Sequence, residues 1–184
     1  RARQFSVKKA SAMLRKCIHF KTHEISVKKL KRRDPDEILG CKESEINKHW
    51  PQYVHGTDRY GRLVLIFKAG LLDAKSIMKL TTIERYVEYL VWRMERIRTM
   101  MCVNRKRTGY FTESTLLVFD MAGFSMRRFN SEVRQIIKRF TSVMQDYYPE
   151  SNGKTFVINT VSLFKIIWSF ASALIDRRTR LKVS

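Results

Sequence analysis

One stretch near the C-terminus constrains the fold more than any other: Tyr147-Tyr148-Pro149-Glu150-Ser151-Asn152-Gly153-Lys154-Thr155-Phe156-Val157-Ile158-Asn159-Thr160, with the apolar run Val161 to Ile175 behind it. It predicts the end of a helix, a tight turn, a buried strand and then a greasy helix. Pro149 cannot continue a helix, Gly153 suits a turn, and Phe156, Val157 and Ile158 form the short apolar run of a parallel strand covered on both faces. In the helix that follows, Phe164, Ile167, Trp168, Ala171, Leu174 and Ile175 share one broad stripe, and only Lys165, Ser169 and Ser172 break the rest. Both elements are built around something apolar. Two readings stay open on these residues: ordinary core, or the wall of a hydrophobic ligand cavity.

Upstream, strands and helices alternate. Ser6 suits the cap of a first helix that carries Val7, Ala10, Met13, Leu14, Cys17 and Ile18 inward. Lys28 to Asp36 is a charged connector ending in Asp34-Pro35-Asp36, which sets a boundary between a small helical part, residues 1–36, and the rest, 37–184. Asp58-Arg59-Tyr60-Gly61 reads as a turn whose Gly takes a left-handed backbone, leading into a first strand, Leu63 to Phe67. Thr81 to Glu84 has capping-box spacing, and Tyr86, Leu90, Val91, Met94, Ile97 and Met101 follow at helical intervals. Thr115 to Met121 is a second strand. A helix with Phe129, Val133, Ile136, Ile137, Phe140, Val143, Met144 and Tyr147 leads to the third, and Leu181 to Ser184 begins a fourth. Strands joined by long helices need crossover connections, so the sheet is expected to be mainly parallel.

Several classes are excluded. Lys165 interrupts the best candidate for a membrane-spanning helix and Asp176 ends it. The chain opens Arg1-Ala2-Arg3-Gln4 with no secretory segment and reads as a fragment truncated at both ends. Cys17, Cys41 and Cys102 are odd in number and widely spaced, which argues against a disulfide scaffold or a zinc site and fits a reducing compartment. His19 and His23 are four apart but have no acidic residue between them, so a solvated face is the better reading and no metal is expected. Gly153-Lys154-Thr155 echoes a phosphate loop, yet it lacks the earlier Gly and precedes a strand instead of following one. Asp120, at a strand's C-terminal end, has no His or Cys companion and reads as a cap or ion-pair residue. No catalytic residue and no cofactor is expected.

Charge does point to a partner. The net charge is +20, and by Arg33 there are twelve basic residues against one acid, Glu24. Such a surface seeks nucleic acid or the anionic leaflet of a membrane, and charge alone does not choose between them.

Four sets of residues resemble a known pattern in register. Arg1-Ala2-Arg3-Gln4-Phe5-Ser6-Val7 is similar to the "RARKFDV" helix that opens the N-terminal segment of CRAL-TRIO proteins. Trp50-Pro51-Gln52-Tyr53 with Thr57-Asp58 and Gly61-Arg62, Tyr147-Tyr148-Pro149-Glu150 with Gly153-Lys154, and Leu174-Ile175-Asp176 resemble successive landmarks of the CRAL-TRIO lipid-binding domain. The nearest branch is that of the secretory-pathway phosphatidylinositol/phosphatidylcholine transfer proteins. The resemblance implies an α/β fold in which a mainly parallel sheet floors an apolar cavity, with covering helices and a gating helix. A helical N-terminal segment precedes it.

The resemblance also implies a ligand. One phospholipid, bound as ligand with no cofactor, would lie against Phe164, Ile167, Trp168, Ala171, Leu174 and Ile175, and its headgroup would meet Arg3, Glu150, Thr179 and Lys182. Phosphatidylinositol is the expected cargo. Gln4 stands where the family has Lys, which weakens the headgroup site. Phosphatidylcholine exchange is expected to be weak or absent: Val54 and Leu65 replace two Tyr, and Leu117 leaves only Thr115 of a Ser and Thr pair. The implied protein is a cytoplasmic monomer, peripheral on Golgi or endosomal membranes, that carries lipid for phosphoinositide signalling and vesicle traffic. The alternatives are a lipid-sensing domain of a larger regulatory protein and, from another class, a basic nucleic-acid-binding module.

Overall fold

The computed structural model of the protein describes residues 6–160 and 164–184. Arg3 and Gln4 of the opening motif, and Val161 at the head of the apolar run, lie outside the described residues.

The two apolar runs Leu63–Phe67 and Thr115–Asp120 carry no charge before Asp120, and both form strands at the centre of one sheet. They are β2 and β3. They are flanked by β1 (Gln52–Thr57) and β4 (Asn152–Ile158), in the spatial order β1-β2-β3-β4. β2, β3 and β4 run parallel, pairing Leu65 with Leu117 and Val118 with Phe156, as the long crossovers require. β1 runs antiparallel to β2, and its register slips between Val54 and Thr57. No strand was expected at β1. It lies at the sheet edge with nearly every residue exposed, so it lacks the apolar signature of its neighbours. Its hairpin does contain the expected turn: the Asp58 carboxylate accepts from the amides of Tyr60 and Arg62, and Gly61 takes φ +76°. At the far edge the strand expected over Leu181 to Ser184 is not formed as such, because Leu181 still caps α9 in a helical conformation and Lys182 lies in the turn behind it; only Val183 reaches the sheet. Thr155 donates to the Lys182 carbonyl and accepts from the Ser184 amide, a parallel bridge between Thr155 and Val183.

The helices follow their caps. α1 (Val7–His19) starts at Ser6, whose hydroxyl accepts from the Lys9 amide, and continues as a short π turn, Phe20–Glu24. Short helices α2 (Val27–Leu30), α3 (Pro35–Leu39), α4 (Glu43–His49) and α5 (Ala74–Leu80) lead to the 26-residue α6 (Ile83–Thr108). The capping residue of α6 is Thr82, which accepts from Arg85, and not Thr81. Thr81 instead buries its hydroxyl against the Leu39 carbonyl at 2.6 Å. α7 (Ser131–Tyr147) packs on α6, α8 (Phe164–Leu174) packs on α7, and a short α9 (Arg177–Arg180) closes the described chain.

Three local expectations are corrected. Val7, Leu14 and Ile18 of α1 are 82%, 60% and 53% exposed, because only the Met13, Cys17 and Phe20 side of that segment turns toward the core. Gly153 lies within β4 and not in the turn. The left-handed residue there is Glu150, at φ +58°, while Gly153 is closely approached by side chains: a Cβ on it would stand 2.6 Å from the Ser114 hydroxyl, which would have to turn away. Nor is β4 covered on both faces. Thr155 and Val157 face inward, while Phe156 and Ile158 are 40% and 43% exposed on the other side.

Candidate functional site

Alternation along β3 and β4 puts Leu117, Phe119, Thr155 and Val157 on one face of the sheet. α7 brings Val133, Ile137, Phe140 and Met144 at helical spacing along a side wall, and α8 lies across the top with Phe164, Ile167 and Trp168 turned downward. Between them lies a cavity of about 280 Å³, close to the lower end of the ~300–1,000 Å³ typical of ligand pockets. A core packed to ordinary density leaves few voids larger than one water, so a hollow of this size is not a packing defect. The greasy helix therefore lies over a hollow.

Five of the six wall residues expected from the sequence line the hollow: Phe164, Ile167, Trp168, Ala171 and Ile175. Leu174 does not. Its place at the end of α8 is marked by its carbonyl, which accepts from the Gln145 amide at 2.6 Å, while the Gln145 oxygen accepts from the Asp176 amide at 3.0 Å. Gln145 thus holds both sides of the α8 terminus, a role that no local spacing signals, because the two partners lie about thirty residues away.

Polar groups gather where β4 begins. Glu150, Asn152, Thr179 and Lys182 all border the cavity there. The Lys182 ammonium donates to the Asn152 carbonyl at 2.7 Å and lies 3.3 Å from the Glu150 carboxylate. Thr179 donates its hydroxyl to Asp176 at 2.6 Å, and Asp176 caps α9 by accepting from the amides of Arg178 and Thr179. Burial works against the ionised form of Asp176, yet those bonds hold its carboxyl below the usual range. Three of the four expected headgroup residues are therefore neighbours at one mouth, and the fourth, Arg3, lies outside the described residues.

Other candidates take structural positions. Asp120 pairs with Lys68 at 2.6 Å, accepts from Asn159 at 2.8 Å and from the Ala122 amide at 2.9 Å, which brings its carboxyl down to about 2. It ties together the C-terminal ends of three strands. Lys154 and Thr155 of the phosphate-loop echo are strand residues. His19 faces Glu24 at 3.2 Å, and among the described residues no cluster of three or more His, Cys, Asp or Glu could hold a metal. Nor, among those residues, is any helix long and apolar enough to cross a membrane.

A family model described as the CRAL/TRIO domain matches residues 47–184, three quarters of the chain. The chain belongs to the CRAL/TRIO family. The CRAL/TRIO chain is 30% identical over 186 residues to the phosphatidylinositol/phosphatidylcholine transfer protein SFH12 of Arabidopsis thaliana, covering all of this chain and 33% of that protein. It is 31% identical to the Sec14 cytosolic factor of Schizosaccharomyces pombe, again over its whole length and 62% of the relative. Among solved structures, a crystal structure of Sfh5 superposes with a TM-score of 0.76 at 18% identity, over all of this chain and 60% of that one, which supports the CRAL/TRIO fold. The chain spans between a third and two thirds of the length of these CRAL/TRIO relatives.

Proposed function

We propose that this chain is a non-catalytic lipid carrier that holds one phospholipid, phosphatidylinositol, in the cavity under α8 and exchanges it at membranes. The observation that carries the reading is the hollow itself: an apolar chamber floored by β3 and β4, roofed by an apolar helix, with charged groups confined to one mouth. Moving acyl chains from a bilayer into water costs about 0.8 kcal/mol per CH₂, so a carrier must enclose them and not merely offer a surface. Relatives named as phosphatidylinositol/phosphatidylcholine transfer proteins agree with that requirement.

The mouth fits a phosphodiester carrying a polyol. Lys182 already faces an acceptor pair, and a phosphate in place of Glu150 would take the same charge-assisted bonds. Glu150 would then be free to accept inositol hydroxyls, with Thr179 beside it and Arg3 as a second cation. Phosphatidylcholine has fewer contacts available. Of its four expected positions, Leu117 lines the cavity as a hydrocarbon, the Thr115 hydroxyl is committed to the Ser151 carbonyl at 3.1 Å, Leu65 is buried and Val54 lies on the exposed edge strand. Exchange at a membrane would move α8, whose side chains roof the chamber. The basic run Arg177, Arg178, Arg180 and Lys182 just beyond α8 would bring that roof to an anionic leaflet, making the protein peripheral on cytoplasmic membranes and serving phosphoinositide signalling and vesicle traffic.

The test is native mass spectrometry of the full-length protein purified from cells, with extraction of bound lipid. One phosphatidylinositol per chain is expected, reduced at least about tenfold by Lys182→Ala and by Glu150→Gln, the loss of one charge-assisted contact each. Protein without lipid, or protein carrying phosphatidylcholine at equal occupancy in both variants, overturns the reading.

A further inference from the structure

The C-terminal end of α6 and the β1–β2 turn meet at one corner of the molecule. The Gly61 carbonyl accepts from the Asn104 side chain at 3.0 Å and from the Thr112 hydroxyl at 3.4 Å, and a Cβ at Gly61 would stand 2.7 Å from the Tyr110 side chain. Around this point Tyr60, Val103, Tyr110 and Phe111 are each more than half exposed, and Met100 adds to the same helix end. Arg59, Arg105, Lys106 and Arg107 stand among them, all exposed. Asp58 is neutralised by Arg62 at 2.7 Å, leaving Glu113 as the exposed carboxylate of the corner.

We infer that this corner is a docking surface for an anionic phospholipid bilayer, separate from the basic run beyond α8. Basic residues in the last turn of a helix are accounted for by the helix dipole, but that does not explain exposed Val103 and Phe111 beside them. Apolar and aromatic side chains ringed by Arg and Lys match the boundary between headgroups and acyl chains, where both halves of the patch are satisfied together. A nucleic acid would need open ring faces for base stacking. Here the guanidiniums of Arg59 and Arg62 lie 4.9 and 5.2 Å from the Tyr60 ring centre, and that of Arg105 lies 4.0 Å from Phe111. Tyr60 and one face of Phe111 are thus already engaged, which leaves less open ring surface for stacked bases.

Position supports the same partner. A Cβ at Gly153 would come 2.9 Å from the Arg62 guanidinium, so the corner abuts the start of β4, next to Asn152, whose carbonyl receives Lys182. A bilayer touching the corner would lie beside the polar mouth of the cavity. The inference rests on the carrier reading only for that geometric convenience; binding to vesicles is measured whether or not cargo is present.

The test is flotation of the full-length protein with vesicles of phosphatidylcholine alone or with a minor fraction of phosphatidylserine, for the native protein, an Arg105→Gln/Lys106→Gln/Arg107→Gln variant and Phe111→Ser. Native protein should float with the anionic vesicles and be released by high salt. The triple variant should bind at least about tenfold more weakly, since each basic group near such a surface accounts for roughly a fivefold change in partition. Phe111 is exposed, so its replacement leaves folding intact and should weaken binding by itself. Bound lipid by mass spectrometry should stay unchanged in both variants, which separates failure at this corner from failure of the cavity. Variant binding within about twofold of native, equal flotation with neutral vesicles, or displacement of vesicles by single-stranded RNA would each overturn the inference.

Discussion

Asp120 shows how a residue that looks catalytic on paper becomes a structural tie. It stands at the end of β3, where α/β proteins often place chemistry, but its two oxygens are taken by Lys68, Asn159 and the Ala122 amide. Those bonds hold the carboxyl at about 2, against about 3.9 in an unfolded chain. A depressed carboxyl stabilises the fold above its unfolded value and loses that contribution as the pH falls through its folded value. Asp120→Asn should therefore lower the midpoint of thermal unfolding at pH 7, with the gap to native protein closing between about pH 4 and pH 2. A gap that persists unchanged to pH 2 would mean that the carboxylate's charge is not what matters. Asn159, one of its partners, sits at φ +52°, a backbone conformation Asn tolerates better than most residues, and Asp120 fixes its side chain at the point where β4 ends.

At the scale of elements, α8 is held by fewer contacts than its hydrophobicity suggests. Ile167 is its one buried side chain among the described residues, and its C-terminal end depends on the side-chain amide of Gln145. Gln145→Leu removes both bonds while keeping the bulk, at about 1 kcal/mol net each. Amide hydrogen exchange at Asp176 should then accelerate roughly tenfold or more, and Gln145→Glu, which keeps only the acceptor, should fall between the two. Unchanged protection at Asp176 would show that the roof is held elsewhere. The elements themselves were legible to different degrees, for physical reasons. β2, β3 and the apolar faces of α6 and α7 announce themselves because burial on both sides imposes an unbroken or regularly spaced apolar pattern. β1 does not, because an edge strand satisfies half of its backbone with water and needs no apolar side chains. The apolar stripe from Phe164 to Ile175 was legible as an inward face, five of its six residues lining the hollow, but whether it enclosed core or hollow was not: periodicity reports which side faces inward and carries no information about what fills the space. Gln145 and Asn152 escaped for a related reason. Their partners are set by packing across the sheet, which no local spacing encodes.

For the molecule as a whole, charge and composition suggest a boundary near residue 36, yet the packing crosses it. Phe20 and Leu30 belong to the same hydrophobic core as the sheet, and Phe20 stacks flat on Tyr147 at 3.6 Å. Beside them Lys21 donates to Glu95 at 3.0 Å and lies 4.0 Å from the centre of the Tyr148 ring, whose hydroxyl donates to the same carboxylate at 2.9 Å. Burial opposes ionisation of Glu95, but Lys21, with Tyr148, holds its carboxyl below the usual range. A buried carboxylate deprived of its cation is far costlier than an exposed pair broken at the surface, so Lys21→Ala should destabilise the protein by about 3 kcal/mol in urea unfolding. The exposed Lys16–Asp146 pair, at 2.8 Å, should cost under about 1 kcal/mol when Lys16 is replaced. Adding Glu95→Gln to Lys21→Ala should restore most of the loss, since the amide needs no counter-charge and still accepts from Tyr148. If the N-terminal part is one cooperative unit with the sheet, the Lys21→Ala transition stays single and merely shifts to lower denaturant; a separate early phase, with the later one at the native midpoint, would instead place the true boundary near residue 36.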